Sequence, residues 1–202
     1  MYRRSTALVT FIENHDMPRF LSICSSHGDL ELATVLLLTL RGIPCLFYGT
    51  EQYLVNDTDG GNDPYNRPMM ESWESGSRLS EIIRRLASLR KANRALAYGR
   101  HGQKYISETI YAYTRLYRDN RVFVVVNKGD STCCAIDHTG LPEGLHTCLL
   151  TGNRFEVAEG AIRKLSIPAK SAVVLAVQGE SIEAATVVKF QINDYVTHPG
   201  EV

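Results

Sequence analysis

Asn14, His15 and Asp16 stand in direct succession at the end of FIENHD, so an amide, an imidazole and a carboxylate meet where an apolar run stops. Such a triplet can form an active-site corner that offers its polar groups to a bound molecule. On its own, a polar triplet after a strand is more often a turn or a helix cap. A second polar cluster, VNDTDGGNDPYNR, contains Asp63 and Arg67. Its Asp and Asn content invites a calcium reading. In a calcium-loop template begun at Asp57, however, Gly61 falls on a ligand position, Asn62 on the required glycine and Pro68 on the bidentate glutamate. The template fails, and no metal is assigned to this chain. A turn-rich surface loop is the plain alternative. Glu13 and Glu51 read as groups engaged in local hydrogen bonds or strand-end packing.

Composition narrows the function classes. The chain has 202 residues, of which 44% are hydrophobic and 22% charged, enough apolar material for one or two packed domains. Lysine plus arginine equals aspartate plus glutamate at 22 each, so no excess charge argues for a nucleic acid or an anionic membrane as partner. Nothing in the composition indicates an oligomeric state. Five cysteines include the adjacent pair Cys133 and Cys134, without zinc or CxxC spacing, and read as small buried apolar residues. The residues after Met1 contain no signal-peptide core, and no run of about 18 apolar residues suggests a membrane span.

The elements that must carry the polar corner are legible in the first 97 residues. ALVTFI (Ala7 to Ile12) is continuously apolar apart from one threonine, as in a strand buried on both faces of a parallel sheet. A helix follows from Asp29, read as its N-cap, to Gly42, read as its C′ residue, and Ile43 with Pro44 opens a second apolar run, CLFYG, read as a strand. Leu79, Ile82, Ile83, Leu86 and Leu89 recur at helical spacing, with Arg84, Arg85 and Lys91 for the wet face. The order βαβα implies a parallel sheet. Two parallel strands cannot bury their own faces, and a complete eight-stranded barrel takes roughly 250 residues. Further units are therefore expected upstream.

After Gly99 the period changes to two. TIYAYTRLY alternates, Arg118, Asp119 and Asn120 suit a turn, and RVFVVVN supplies a partner strand. Shorter runs at 133–136, 146–150, 161–167 and 172–177 continue the series, describing an antiparallel sandwich or barrel over 98–178, with the Greek-key sandwich the preferred form. The fold class is thus α/β plus all-β. Residues 179–185 read as a linker, and TVVKFQIN alternates again within 186–202.

LVTFIENHDMPRF resembles the segment at the seventh barrel strand of the alpha-amylase family, glycoside hydrolase family 13, and RGIPCLFYGTEQYL resembles its eighth strand and following turn. GGNDPYNRPMM is similar to a substrate loop of cyclodextrin glucanotransferases and their amylase relatives. LASLRKANRALAYG resembles the passage into that family's domain C, and VVKFQINDYVTHPGEV the opening of a family 20 starch-binding module. The resemblance implies that residues 1–97 are the C-terminal part of a TIM (β/α)8 barrel, 98–178 domain C and 186–202 the start of a truncated starch-binding module.

By resemblance, Asp16 is the transition-state stabiliser of a retaining glycosidase, His15 hydrogen-bonds the same sugar, and Asp63 with Arg67 grips donor-side hydroxyls of starch or a maltooligosaccharide. The family's nucleophilic aspartate and acid glutamate lie on earlier strands, so the chain alone is expected to be inactive. Its calcium sites also lie mostly upstream, and the parent is expected to be exported by a signal upstream. Trp73 reads as packed beneath its loop rather than stacked on a sugar. Pro18, where cyclodextrin-forming relatives usually carry an acid, and the short linker favour a hydrolysing parent over a transglycosylase. A non-catalytic carbohydrate-binding remnant is the other class. Proteolysis before about residue 95, sparing the sandwich, is the expected behaviour of a broken barrel.

Overall fold

The computed structural model describes residues 7–24, 26–56, 63–73 and 76–179. The linker beyond residue 179 and the starch-binding segment at 186–202 lie outside them. The described α/β part contains β1 (Val9–Thr10), α1 (Phe20–Cys24), α2 (His27–Thr39), β2 (Ile43–Pro44), α3 (Arg78–Ala92) and the short α4 (Arg94–Tyr98). β1 and β2 are parallel, with Val9 opposite Ile43 and Thr10 opposite Pro44.

β1 is shorter and wetter than its apolar sequence suggests: Leu8, Val9 and Phe11 are exposed. A parallel strand is buried only when it has neighbours on both edges and helices over both faces. Among the described residues β1 has β2 as its single strand neighbour.

The N-cap of α2 lies three residues before the expected one. Ser26 is the N-cap, its Oγ accepting the Asp29 N–H at 3.4 Å, and Asp29 sits in the first turn, where a carboxylate complements the helix dipole. At the other end the free carbonyls meet cations. Arg90 Nη1 donates to the Leu38 and Leu40 oxygens at 3.0 and 3.2 Å, and Arg115 Nη1 to that of Thr39 at 3.0 Å. Gly42 lies past the Leu40 C-cap, in the turn into β2, with φ of 106°. A Cβ there would stand 2.7 Å from the Thr10 methyl and 2.9 Å from the Leu8 oxygen, so close approach to β1 requires glycine.

α3 follows its periodicity. Leu79, Ile82, Leu86 and Leu89 are buried, and the Ser77 side chain caps the Ser80 N–H. On the wet face Glu81 accepts from Arg84 and Arg85 at 2.5–2.7 Å, and these hydrogen bonds hold its carboxyl down from 4.5 to about 2. A depressed native pKa adds stability that is complete above pH 4.5 and lost as pH falls towards 2. Glu81→Gln is expected to flatten the acid limb of the stability profile within that window, as read by thermal unfolding. The group is exposed, so the effect is small.

The antiparallel part comprises β3 (Arg100–Ile106), β4 (Ile110–Tyr117), β5 (Asn120–Asn127), β6 (Thr132–Ile136), β7 (Gly144–Thr147), β8 (Arg154–Val157), β9 (Ile162–Ile167) and β10 (Ser171–Val177). β10-β5-β4-β3 form a four-stranded sheet, and β6 with β9 and β7 with β8 form two smaller ones. The expected β4–β5 hairpin pairs Tyr117 with Asn120. β3 and β8 carry no apolar run and were not evident in the sequence.

The four-stranded sheet is covered on both faces. Ile110, Ala112, Phe123 and Val125 face a core shared with β6, β8 and β9. Tyr113, Val122, Val124 and Val174 face the other way, against Leu32, Val35 and Leu38 of α2 and Leu86 and Leu89 of α3. α2 and α3 therefore pack directly on the sheet. The cysteine reading also needs correction. All five are free, but Cys148 alone is buried, while Cys45 and Cys133 are exposed. In β6 alternation turns Cys133 outward and Cys134 towards the second core.

Candidate functional site

The FIENHD corner lies where the chain leaves β1. Asn14 Oδ1 accepts the Asp16 N–H at 2.9 Å, closing a tight turn that presents the next two side chains outward. His15 Nε2 stands 3.3 Å from Asp16 Oδ2, and the two side chains are 61% and 74% exposed. The sequence thus supplies both a turn and an accessible polar pair, in one segment.

Beneath it is a sealed polar network. Glu13 is 2% exposed; its oxygens accept the Phe20 N–H at 2.6 Å, the Thr50 hydroxyl at 2.5 Å and Arg19 Nη1 at 3.3 Å. Arg19 has no exposed surface. It also donates to the Tyr48 carbonyl at 2.7 Å and the Asn66 carbonyl at 3.1 Å, with its guanidinium carbon 4.2 and 4.6 Å from the Phe47 and Tyr48 ring centroids. Its backbone N–H donates to Asn56 Oδ1 at 2.8 Å. The network joins the end of β1, the turn after β2 and the 63–67 loop. Glu13 is consumed in it, so it is not free to act as a catalytic acid or nucleophile, in line with the local role read from its position. Glu51 contributes its carbonyl, which accepts the Ser77 and Ser80 hydroxyls at 2.5 and 3.3 Å.

Asp63 and Arg67 form an ion pair with both side chains accessible, on a turn in which the Arg67 N–H donates to the Pro64 carbonyl at 3.0 Å. Asn66, between Tyr65 and Arg67, is fully buried and donates from Nδ2 to the carbonyls of His15 at 2.6 Å and Met17 at 3.1 Å. The structure therefore brings the two sequence-predicted polar clusters together. Arg19, Asn56 and Asn66 are the residues that sequence reasoning missed. Arg19 Nε bonds across 47 positions, and no local spacing announces such a contact.

Trp73 corrects the sequence reading. It is 86% exposed, beside a Ser72 carbonyl held by Gln52 Nε2 at 3.0 Å, and Met69 is equally open. A loop-borne indole that no element among the described residues covers stays in water however apolar it is. As Trp73 is the single tryptophan, its emission reports on this loop alone. Red-shifted emission, readily quenched by acrylamide, is expected; a blue-shifted, protected spectrum would contradict this placement. Of the β4 tyrosines, Tyr113 is core and Tyr111 is half-buried beside His101, as expected of a sheet rather than a binding platform.

Among the described residues no group of three or more His, Cys, Asp or Glu side chains is placed to hold a metal ion, and no helix is long and apolar enough to cross a membrane. The exposed groups offer one carboxylate, one imidazole and one Asp–Arg pair. That set can hydrogen-bond a polyhydroxylated ligand and stabilise positive charge.

The chain is similar to known proteins over most of its length. The alpha-amylase family, catalytic domain, matches residues 1–99. A cyclomaltodextrin glucanotransferase of Bacillus sp. (strain 1-1) is 39% identical over 179 residues, covering 86% of this chain and 25% of that protein. An alpha-amylase of Niallia circulans is 38% identical over 168 residues, covering 80% of this chain and 31% of that one. The crystal structure of CldA, described as the first cyclomaltodextrin glucanotransferase with a three-domain ABC distribution, superposes with a TM-score of 0.83 at 40% identity, over 88% of this chain and 38% of CldA. The chain thus spans about a quarter to a third of the curated relatives' length. Through these relatives and its residues 1–99, the chain belongs to the alpha-amylase family.

Proposed function

We propose that this chain is the C-terminal portion of a retaining enzyme acting on alpha-1,4-glucosidic bonds of starch or maltooligosaccharides. In this reading residues 1–97 are the last two βα units of a (β/α)8 barrel, and 98–178 are a Greek-key domain C. The observation that carries it is the joining of the exposed His15–Asp16 pair, at the carboxyl end of a parallel strand, to the Asp63–Arg67 loop. Barrel enzymes assemble their sites at that end of their strands. Asp16 stabilises the oxocarbenium-like transition state, His15 hydrogen-bonds the same sugar, and Asp63 with Arg67 holds donor-side hydroxyls. Nucleophile and general acid come from earlier strands, and any calcium of the parent belongs there too.

Hydrolysis is favoured by Pro18, which puts no charge between Asp16 and Arg19. Transglycosylation is the second reading, favoured by the number of glucanotransferases among the relatives at about 40% identity. The purified chain is expected to release no reducing sugar from starch. A chimera joining it to the upstream barrel of a related glucanotransferase is expected to be active, and its ratio of cyclic to linear products separates the two readings. A folded but inactive chimera, or hydrolysis by the chain alone, would overturn the proposal.

A further inference from the structure

We propose that Asn66 is a positioning residue that locks the Asp63–Arg67 loop to the His15–Asp16 corner, so that both parts of the site hold one geometry; this rests on the sugar-binding reading above. The amide has no exposed surface. Its single nitrogen spends both hydrogens on the His15 and Met17 carbonyls, the two that bracket Asp16. Its oxygen Oδ1 is buried with no hydrogen-bond partner among the described residues. The amide orientation is therefore set by its donors, since the flipped form would face an oxygen to two carbonyls.

An unpartnered buried amide oxygen lowers stability, so an apolar residue of similar size would be the more stabilising choice were the two carbonyls not in need of donors. The backbone of the same residue is held from the opposite side. Its carbonyl accepts Arg19 Nε at 3.1 Å, and Arg19 is clamped by Glu13, the Tyr48 carbonyl and two aromatic faces. Downstream, the Tyr48 hydroxyl donates to the Pro68 carbonyl at 2.9 Å. Arg67 sits between these two anchors, and its backbone closes the turn on Pro64. The Asp63–Arg67 pair cannot shift against Asp16 without breaking hydrogen bonds on both sides. A sugar gripped by the loop then presents its neighbour to the corner at a fixed distance. Misplacement by about 1 Å is enough to lose roughly a hundredfold in rate.

Asn66→Asp is the decisive variant: it keeps the shape, removes both donors and sets a carboxylate against two carbonyls. Two measurements on the full chain test it. Amide hydrogen exchange is expected to accelerate at least about tenfold in both 14–17 and 63–67, while α3 and the four-stranded sheet keep their protection. Maltoheptaose affinity is expected to fall about tenfold. His15→Ala and Arg67→Ala are expected to be non-additive in the native background, and this coupling should vanish in the variant. Exchange that changes in neither or only one segment overturns the lock, as does retained affinity with retained coupling. If the native chain binds no maltoheptaose but the paired exchange response is present, the sugar-binding reading falls and the lock stands. Asn66→Ala, which removes the donors without adding charge, gives the same readouts should Asn66→Asp fail to fold.

Discussion

Asp16→Asn, introduced into an active chimera with a relative's upstream barrel, is expected to lower kcat by about 10²- to 10³-fold and leave KM nearly unchanged. The amide keeps the size of the carboxylate and can still hydrogen-bond a sugar hydroxyl. What it loses is the negative charge, and a neutral sugar in the ground state gains little from that charge. The developing oxocarbenium ion gains much, so the loss falls on the transition state. In this chain the Asp16 side chain is 74% exposed and screened by water, so the same substitution is expected to leave the chain's own stability unchanged. Initial rates over a range of substrate concentrations decide the matter. An increase in KM with unaltered kcat would assign Asp16 to ground-state binding instead.

Arg19→Met is the substitution with the largest expected effect on stability, about 3–5 kcal/mol. It removes the cation from a pair in which Arg19 is wholly buried and Glu13 is 2% exposed, leaving a carboxylate in the interior with two remaining donors. It also orphans the Tyr48 and Asn66 carbonyls. Adding Glu13→Gln removes the stranded charge, so the double variant should recover part of the loss, a coupling that urea unfolding measures directly. The contrast is Arg163 with Asp137, a pair at 2.9 Å with both side chains 61% exposed, whose removal is expected to change stability by less than about 1 kcal/mol. If the two losses were similar, burial would not be the controlling factor.

Much of the scaffold was readable because it is locally encoded. The 3.6-residue recurrence of Leu79, Ile82, Leu86 and Leu89 predicts α3, and these are the side chains it buries. Alternation and the turn residues predict the β4–β5 hairpin, since strand period and turn chemistry are properties of short stretches. The cap of α2 was misread because Ser26 and Asp29 are both good N-caps, and only the geometry of the preceding chain selects Ser26. β3 escaped because RHGQKYI lies at the sheet edge and buries almost nothing, so no hydrophobic pattern is required of it.

By itself, then, the sequence determined α3, the β4–β5 hairpin, the polar corner at Asn14, His15 and Asp16, and the Asp63–Arg67 loop, because residue type and short spacing suffice for each. The tertiary structure decided what faces what. It left the apolar β1 wet and Trp73 in water, because burial needs a covering element that no residue can announce on its own. It laid α2 and α3 on the sheet that 110–126 and 172–174 help to build, since an apolar face specifies that it will be covered but not by which partner. It also placed Arg19 and Asn66 between the two halves of the site. Buried polar groups must find donors and acceptors wherever the folded chain brings them, and here those partners lie as far as 51 positions away.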